Sequence, residues 1–324
     1  MSNITRRHLI ATGALAMTGL SAQAQSHADK PIRILVGYSP GGPTDILARM
    51  FGERMSKSLG QTVIVENVPG ANGDIAARQL LAQPADGYTL MWGPTAQLIF
   101  NPATQKNVRF DPVRDFTMIA LACGYAYVAI APTRIPANDM RQFMAYARQN
   151  PGKLSFASAG GGTGNHLAGE WVNIAGKTDL THVPYKGDAA SVADVVSGNV
   201  ALTFCAPNVA IPMIQAGKLK ALAVTSPKRL QGLADVPTLQ EQGFDFTMEL
   251  FSGLVGRAGM PPDIVRRLNQ AIQDATKDPS VIERLAKMAN YPISGSPEDF
   301  HNLVNKQTQR WRAFMKSANI PLVE

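Results

Sequence analysis

Beyond its first 25 residues the chain reads as short apolar runs alternating with amphipathic ones. "IRILVGY" (32–38), "VIVENV" (63–68) and "YTLMWG" (88–93) have the length and apolar content of strands, and between them lie "DILARMFGERMSKSL" (45–59) and "DIAARQLLA" (74–82). In the first of these, Leu47, Phe51, Met55 and Leu59 recur every fourth residue, with Ile46 and Met50 beside them and Gly60 at the end. The spacing predicts an amphipathic helix, and strands alternating with such helices predict a parallel sheet covered on both faces.

A second series follows Pro136. It has a helix near 139–149, "LSFAS" (154–158), a glycine-rich turn, a helix from about His166, "THVPY" (181–185), a helix over about 189–196, "VALTF" (200–204) and "LKALAVTS" (219–226). Between the series, "FTMIALACGYAYVAIAP" (116–132) is long, apolar and β-rich, as expected of a strand that leaves one sheet and enters another. "FDFTMELFSGLVGRAGMP" (244–261) repeats that pattern. The rest, "PPDIVRRLNQAIQDATKD", "PSVIERLAKMA" and "SPEDFHNLVNKQTQRWRAFMKSA", reads as helices with proline starts, and Ser296 with Asp299 resembles a capping box. The expected fold class is α/β, with two lobes joined by two crossing segments and a cleft between them. Ligands of open α/β sheets sit at the carboxyl ends of strands, so the strand-to-helix turns facing the cleft should carry the chemistry.

The N-terminus changes the picture of where this protein works. Arg6 and Arg7 precede an uncharged run, Leu9 to Leu20, that ends in Ala22-Gln23-Ala24, so residues 1–24 read as an export signal and the expected location is the periplasm. "TRRHLI" is similar to a twin-arginine signal with Leu9 where Phe is usual, which leaves both export routes open. The run is shorter than the ~20 residues a membrane span needs.

A formal net charge of +7, spread along the chain rather than packed into a basic tract, argues against nucleic acid and suits an anionic ligand. Cys123 and Cys205 lie in apolar strand-like runs and are expected as two buried thiols; an exported chain leaves a disulfide between them open. The five histidines are scattered without metal-ligand spacing, so no metal and no cofactor are expected.

Three groups of turns carry candidate chemistry. In "YSPGGPTDILAR" (38–49), Gly41 and Gly42 let the backbone approach a ligand, Thr44 or Asp45 is placed to cap the following helix, and that helix offers unpaired N–H groups to an anion. A plain glycine turn with an N-cap would read the same. "SFASAGGGTGNHLAGEW" (155–171) repeats the design in the second series, with Gly160 to Gly162, then Thr163, Gly164 and Asn165. Here Ser158, Thr163 and Asn165 are candidate side-chain donors, and His166 reads as a helix-start residue bonded to its own loop rather than a catalytic base. At the ends of other strands, Thr95, Tyr185 and Asn208 are candidate side-wall donors, and Trp92, Phe204 and Phe251 candidate apolar walls; each would serve equally as an ordinary loop or core residue. No turn carries G-x-x-x-x-G-K-[ST], G-x-G-x-x-G or G-x-S-x-G, which argues against nucleotide binding and a serine nucleophile. A carboxylate held by neutral donors and two helix N-termini fits best.

"PIRILVGYSPGGPTDILAR", "VIVENVPGANGDIAA", "PADGYTL", "HLAGE", "VPYKG", "AGKLKALAVTS" and "VPTLQEQG", in this order, closely resemble the Bug-type solute-binding proteins of tripartite tricarboxylate transporters, over the chain from about Lys30. The resemblance implies a type II, Venus-flytrap periplasmic binding fold, with lobe 1 made of 25–124 and 251–324 and lobe 2 of 125–250. It implies a monomeric binding protein, not an enzyme, that delivers a small carboxylate to two membrane subunits. It also implies a carboxylate gripped by Tyr38, Ser39, Pro40, Gly42, Thr44 and Asp45 in one lobe and by Ser158, Gly162, Thr163, Gly164, Asn165 and His166 in the other, usually with bridging water. Ser39 stands where the family often has Pro or Ala, and "GPTAQ" where it often has serines, which leaves ligand identity open. Tyr38, Trp92, Phe204 and Phe251 tilt the expectation towards an aromatic or dicarboxylic acid. Arg134 or Lys186 would meet a second carboxylate, or sit as solvated surface charges. A secreted enzyme using His166 and Asp45, and a subunit presenting ligand to a membrane sensor, are the rival readings.

Overall fold

A computed structural model describes residues 30–323; the export signal read at 1–24 lies outside the described residues. Lobe 1 begins with β1 (Ile32–Val36), α1 (Pro43–Leu59), β2 (Val63–Asn67), α2 (Asp74–Leu81) and β3 (Thr89–Pro94). A π-helical turn (Ala96–Phe100), α3 (Asn101–Thr104) and α4 (Pro112–Asp115) then lead into β4 (Phe116–Ala126). Lobe 2 is the run β5 (Val128–Pro132), α5 (Met140–Arg148), β6 (Leu154–Ser158), α6 (Gly164–Gly176), β7 (Leu180–Pro184), α7 (Asp188–Ser197), β8 (Leu202–Cys205), α8 (Pro207–Gln215) and β9 (Leu219–Val224). The chain returns to lobe 1 with β10 (Glu249–Arg257), α9 (Pro262–Lys277), α10 (Pro279–Lys287), β11 (Tyr291–Pro292) and α11 (Pro297–Ser317).

Local chemistry sets the boundaries of these elements. Pro43 occupies the first turn of α1, where its missing N–H costs nothing, and Gly60 ends that helix in the left-handed region at φ 62°. Ser296 and Asp299 close the expected capping box on α11, each side chain accepting from the other's backbone N–H.

The sheet of lobe 1 has the order β11-β4-β10-β3-β1-β2, with β3, β1 and β2 parallel and β10 antiparallel to both its neighbours. That of lobe 2 runs β7-β6-β8-β5-β9, with β7, β6 and β8 parallel and β5 antiparallel to β8 and β9. Ile32, Ile34 and Val36 face Leu47, Phe51 and Met55 of α1 and Leu268 and Ile272 of α9, while Leu35 and Met91 pack with the opposite layer. Fully burying each such side chain is worth about 1.5–3 kcal/mol, which is why the strands read as near-continuous apolar runs. Cys123 in β4 and Cys205 in β8 are both buried and free, one in each sheet.

The 116–132 stretch crosses between sheets at a single residue, Tyr127, between β4 and β5. The return differs from the sequence expectation. Strand structure in 244–261 is confined to Glu249–Arg257, and the crossing is made by the preceding segment 225–248. Both crossings meet at Thr225, which is fully buried: its N donates to Tyr127 O at 2.9 Å, its hydroxyl accepts from Tyr127 N at 2.9 Å, and its carbonyl accepts from Met248 N at 2.8 Å. Phe246 then stacks on Trp171 of lobe 2 (4.2 Å between centroids) and lies edge-on to Trp311 of α11, so one apolar cluster runs from lobe to lobe.

Candidate ligand site between the lobes

The α1 turn is built around Asp45. Its buried carboxylate accepts from Gly41 N (2.9 Å), Asn67 Nδ2 (2.9 Å) and Arg49, whose Nε lies at 3.1 Å. Burial pushes this carboxyl up, but the bonds from Arg49, Gly41 and Asn67 together with the charge of Arg49 outweigh it and hold Asp45 below the usual carboxylate range. Asp45 therefore shapes the turn from behind. Ile46 N makes the first helical bond, to Gly42 O, so the N–H groups of Thr44 and Asp45 are among those that a helix start leaves unmatched. Tyr38 is fixed at the turn's edge by its hydroxyl, which donates to Asn72 O at 3.2 Å.

The α6 turn follows the same plan with different fasteners. Ser158 Oγ accepts from Gly160 N (3.1 Å) and lies 2.7 Å from His182 Nε2; Gly162 N donates to His166 Nδ1 at 3.1 Å; Asn165 Oδ1 accepts from Ala159 N at 3.2 Å. Thr163 Oγ1 sits 2.5 Å from Gly160 O and 2.6 Å from Asn165 Oδ1, so its proton is spent inside the turn. Leu167 N makes the first helical bond, to Thr163 O, which leaves the N–H groups of Gly164, Asn165 and His166 at the positive end of the α6 dipole. His166 and His182 stack at 4.0 Å, and burial together with the neighbouring His166 lowers the pKa of His182 to about 4.

The two turns face each other across a cavity of about 400 Å³. Of the residues singled out in the sequence, Tyr38, Thr44, Thr95, Thr163, Gly164, Asn165, Asn208 and Phe251 line it. Thr95 is tied to β10, its hydroxyl 3.1 Å from Phe251 O and accepting from Phe251 N at 2.6 Å. Ser39, Pro40, Gly42, Asp45, Ser158, Gly162 and His166 support the turns but are not in the lining. The structure corrects several expectations. Trp92 is fully buried in the lobe 1 core, stacked on Phe51 at 5.2 Å, and Phe204 is fully buried in the apolar cluster that joins the lobes, so neither is a wall. The hydroxyl of Tyr185 is taken by Asp194 of α7, the guanidinium of Arg134 by Gly198 O, and Lys186 is exposed; none of the three lines the cavity.

Several lining residues went unread in the sequence: Tyr125, Tyr127, Asp188, Ser252 and Asn290. The tyrosines, two apart at the lobe crossing, were hidden in a β-rich apolar run; the signal for Asp188 was a Gly-Asp pair at the strand-to-helix turn of "VPYKGDAA". Among the described lining residues Asp188 is the one acid, and no Lys, Arg or His is present. A second cavity, about 740 Å³, adjoins the first through shared Pro207 and Asn290 and is flanked by 226–232, α8 and the α10–β11 connection. Its walls lack the paired helix starts, so we place the candidate site in the smaller one.

A family model described as "Tripartite tricarboxylate transporter family receptor" matches residues 47–320. The chain is 35% identical over 317 residues, 96% of its length and 94% of the relative's, to a protein of the tcbD-tcbE intergenic region of Pseudomonas sp. (strain P51). Among solved structures it is similar to Rpa4515 of R. palustris, described with adipate, at 30% identity and a TM-score of 0.78 over 90% of this chain and 98% of that one. The periplasmic binding protein BugD is similar at 31% identity and a TM-score of 0.75 over 90% and 99%.

Proposed function

The chain belongs to the tripartite tricarboxylate transporter receptor family, a family of periplasmic solute-binding proteins, and we propose that it captures a small carboxylate between its lobes and delivers it to the membrane subunits of such a transporter. The observation that carries this reading is the pair of helix starts, α1 and α6, meeting at one cavity whose described lining holds no cationic side chain. Oriented N–H groups and hydroxyls bind a carboxylate without a counter-ion, because unmatched donors and the helix dipole supply the favourable potential. Thr44, the N–H groups of Asp45, Gly164 and Asn165, and the amide of Asn208 are the proposed donors. The adipate of Rpa4515 supports a carboxylate as the ligand class. Binding would close the lobes about the Tyr127–Thr225 crossing, a shift in population set by how much better ligand fits the closed form.

The test is a thermal-shift screen of mono-, di- and tricarboxylic acids, followed by long incubation with the best binder. Ligand that binds the folded protein alone raises its melting temperature, by about 2.7 kcal/mol of added stability at a hundredfold excess over Kd. The reading predicts one equivalent bound and recovered unchanged. Conversion of the acid would replace binding with catalysis, and a protein stabilised by no carboxylate would contradict the reading.

A further inference from the structure

Among the described residues of the cavity wall, Asp188 is the acid that a carboxylate clamp leaves unexplained. It opens α7, and its Oδ1 accepts from Asn165 Nδ2 at 2.8 Å while Oδ2 accepts from Ala206 N at 3.2 Å. An ionised carboxyl has about four lone-pair positions, so these bonds leave roughly half its accepting capacity unused. Tyr38, Tyr125, Tyr127, Phe100 and Phe251 share the lining with it, and the Tyr125 and Tyr127 rings stand edge to face at 5.9 Å.

The electrostatics are unfavourable for a ligand that is only anionic. Burial raises the pKa of Asp188, and the Ala206 N–H and Asn165 amide offset that only in part. The α7 dipole supports an acid at its first turn only weakly. A second carboxylate in direct contact with it would be repelled strongly, because the effective dielectric of a buried wall is far below that of water. The repulsion is the larger effect, so an acid in this wall selects against ligands that place another anion beside it. A cation there would relieve Asp188 and find aromatic rings whose faces attract positive charge.

We propose that Asp188 is the specificity-determining residue of the cavity, and that the natural ligand carries a protonated or quaternary nitrogen that pairs with it, in addition to the carboxylate held at α1 and α6. The inference rests on the carboxylate reading above and adds the second charge of the ligand. Asp188 also fastens three turns, so its test needs a readout that a structural role would not move.

That readout is the ranking of matched ligands by titration calorimetry. The pairs are 5-aminopentanoate against glutarate, 6-aminohexanoate against adipate, and N-methylpyridinium-3-carboxylate against benzene-1,3-dicarboxylate, with pentylamine and hexylamine as amines lacking a carboxylate. Wild-type protein should bind the best nitrogen-bearing acid at least about tenfold tighter than its matched diacid, and Asp188→Asn should abolish or reverse that preference. Diacids binding wild type as well as their partners would overturn the inference while leaving the carboxylate reading intact. Simple amines binding as tightly as the amino acids would instead overturn the carboxylate reading, and a wild type that binds none of the panel contradicts both. The wild-type ranking needs no variant, so a poorly folded Asp188→Asn does not spoil the test.

Discussion

Asp45 organises a binding turn without facing the cavity, because its lone pairs are consumed by Gly41, Asn67 and Arg49. Sequence marks such a residue as part of a site but not which way it points. An acid before a helix is a cap, a ligand contact or a scaffold according to partners that arrive from other strands, here Asn67 of β2. Thr44 is the opposite case, since its hydroxyl has no partner among the described residues and its place in the lining was legible from the turn. We expect Thr44→Val to weaken carboxylate binding by about 10- to 100-fold, the worth of a hydrogen bond of ~1.5–3 kcal/mol to a charged group, while the melting temperature of the ligand-free protein is unchanged. Calorimetry and thermal melts of the same preparation separate the two effects. His182 gives a pH signature. The folded protein holds its pKa at about 4, against 6.5 for the free side chain, so the unfolded chain takes up a proton that the folded one refuses. This favours the unfolded state as pH falls from about 6.5 towards 4, and melting temperature should drop across that window; His182→Gln should flatten the slope.

At the scale of elements, the strands were legible as short continuous apolar runs and the long helices by their periodic burial. β1, β3 and β6 are buried runs, and α1 and α11 repeat their apolar residues at helical spacing. The elements that were missed lack such a period. α8 carries Pro207 and Pro212 within an almost wholly apolar run, and the π-helical turn 96–100 is defined by bonding rather than by pattern. The glycine turn of lobe 2 was legible as a turn, but its reach was not. It rests on lobe 1: Gly162 O lies 3.2 Å from Thr104 Oγ1, and a Cβ on Gly164 would stand 2.7 Å from the Phe100 ring and 3.0 Å from Tyr127. A methyl group there forces the lobes apart or shifts aromatic rings, at a cost of about 1–3 kcal/mol. Gly164→Ala should therefore lower ligand affinity roughly tenfold or more, and solution scattering at saturating ligand should show less compaction than wild type. Wild-type compaction in the variant would mean that the turn does not close against Phe100.

On the scale of the molecule, the lobes are joined by two thin crossings fastened at one buried threonine and by an aromatic path through Trp171, Phe246 and Trp311. The two-lobe plan was readable because two α/β series were separated by β-rich connectors. The return crossing was displaced because 244–248, though it alternates apolar and polar residues as a strand would, packs Phe244, Phe246 and Met248 between the lobes instead of pairing in a sheet. Thr225 shows why a crossing is hard to see from one sequence: in "LAVTS" it looks like the end of a strand, and only the arrival of Tyr127 and Met248 makes it the junction. Two helix starts gripping one carboxylate between such lobes is the central proposal. The most direct test is a crystal structure of the protein with the acid that stabilises it most, read for N···O distances. The carboxylate oxygens should lie within about 3 Å of N–H groups at the starts of both α1 and α6. A carboxylate bound in the cavity but touching neither helix start, or paired with a lysine or arginine instead, would contradict that proposal.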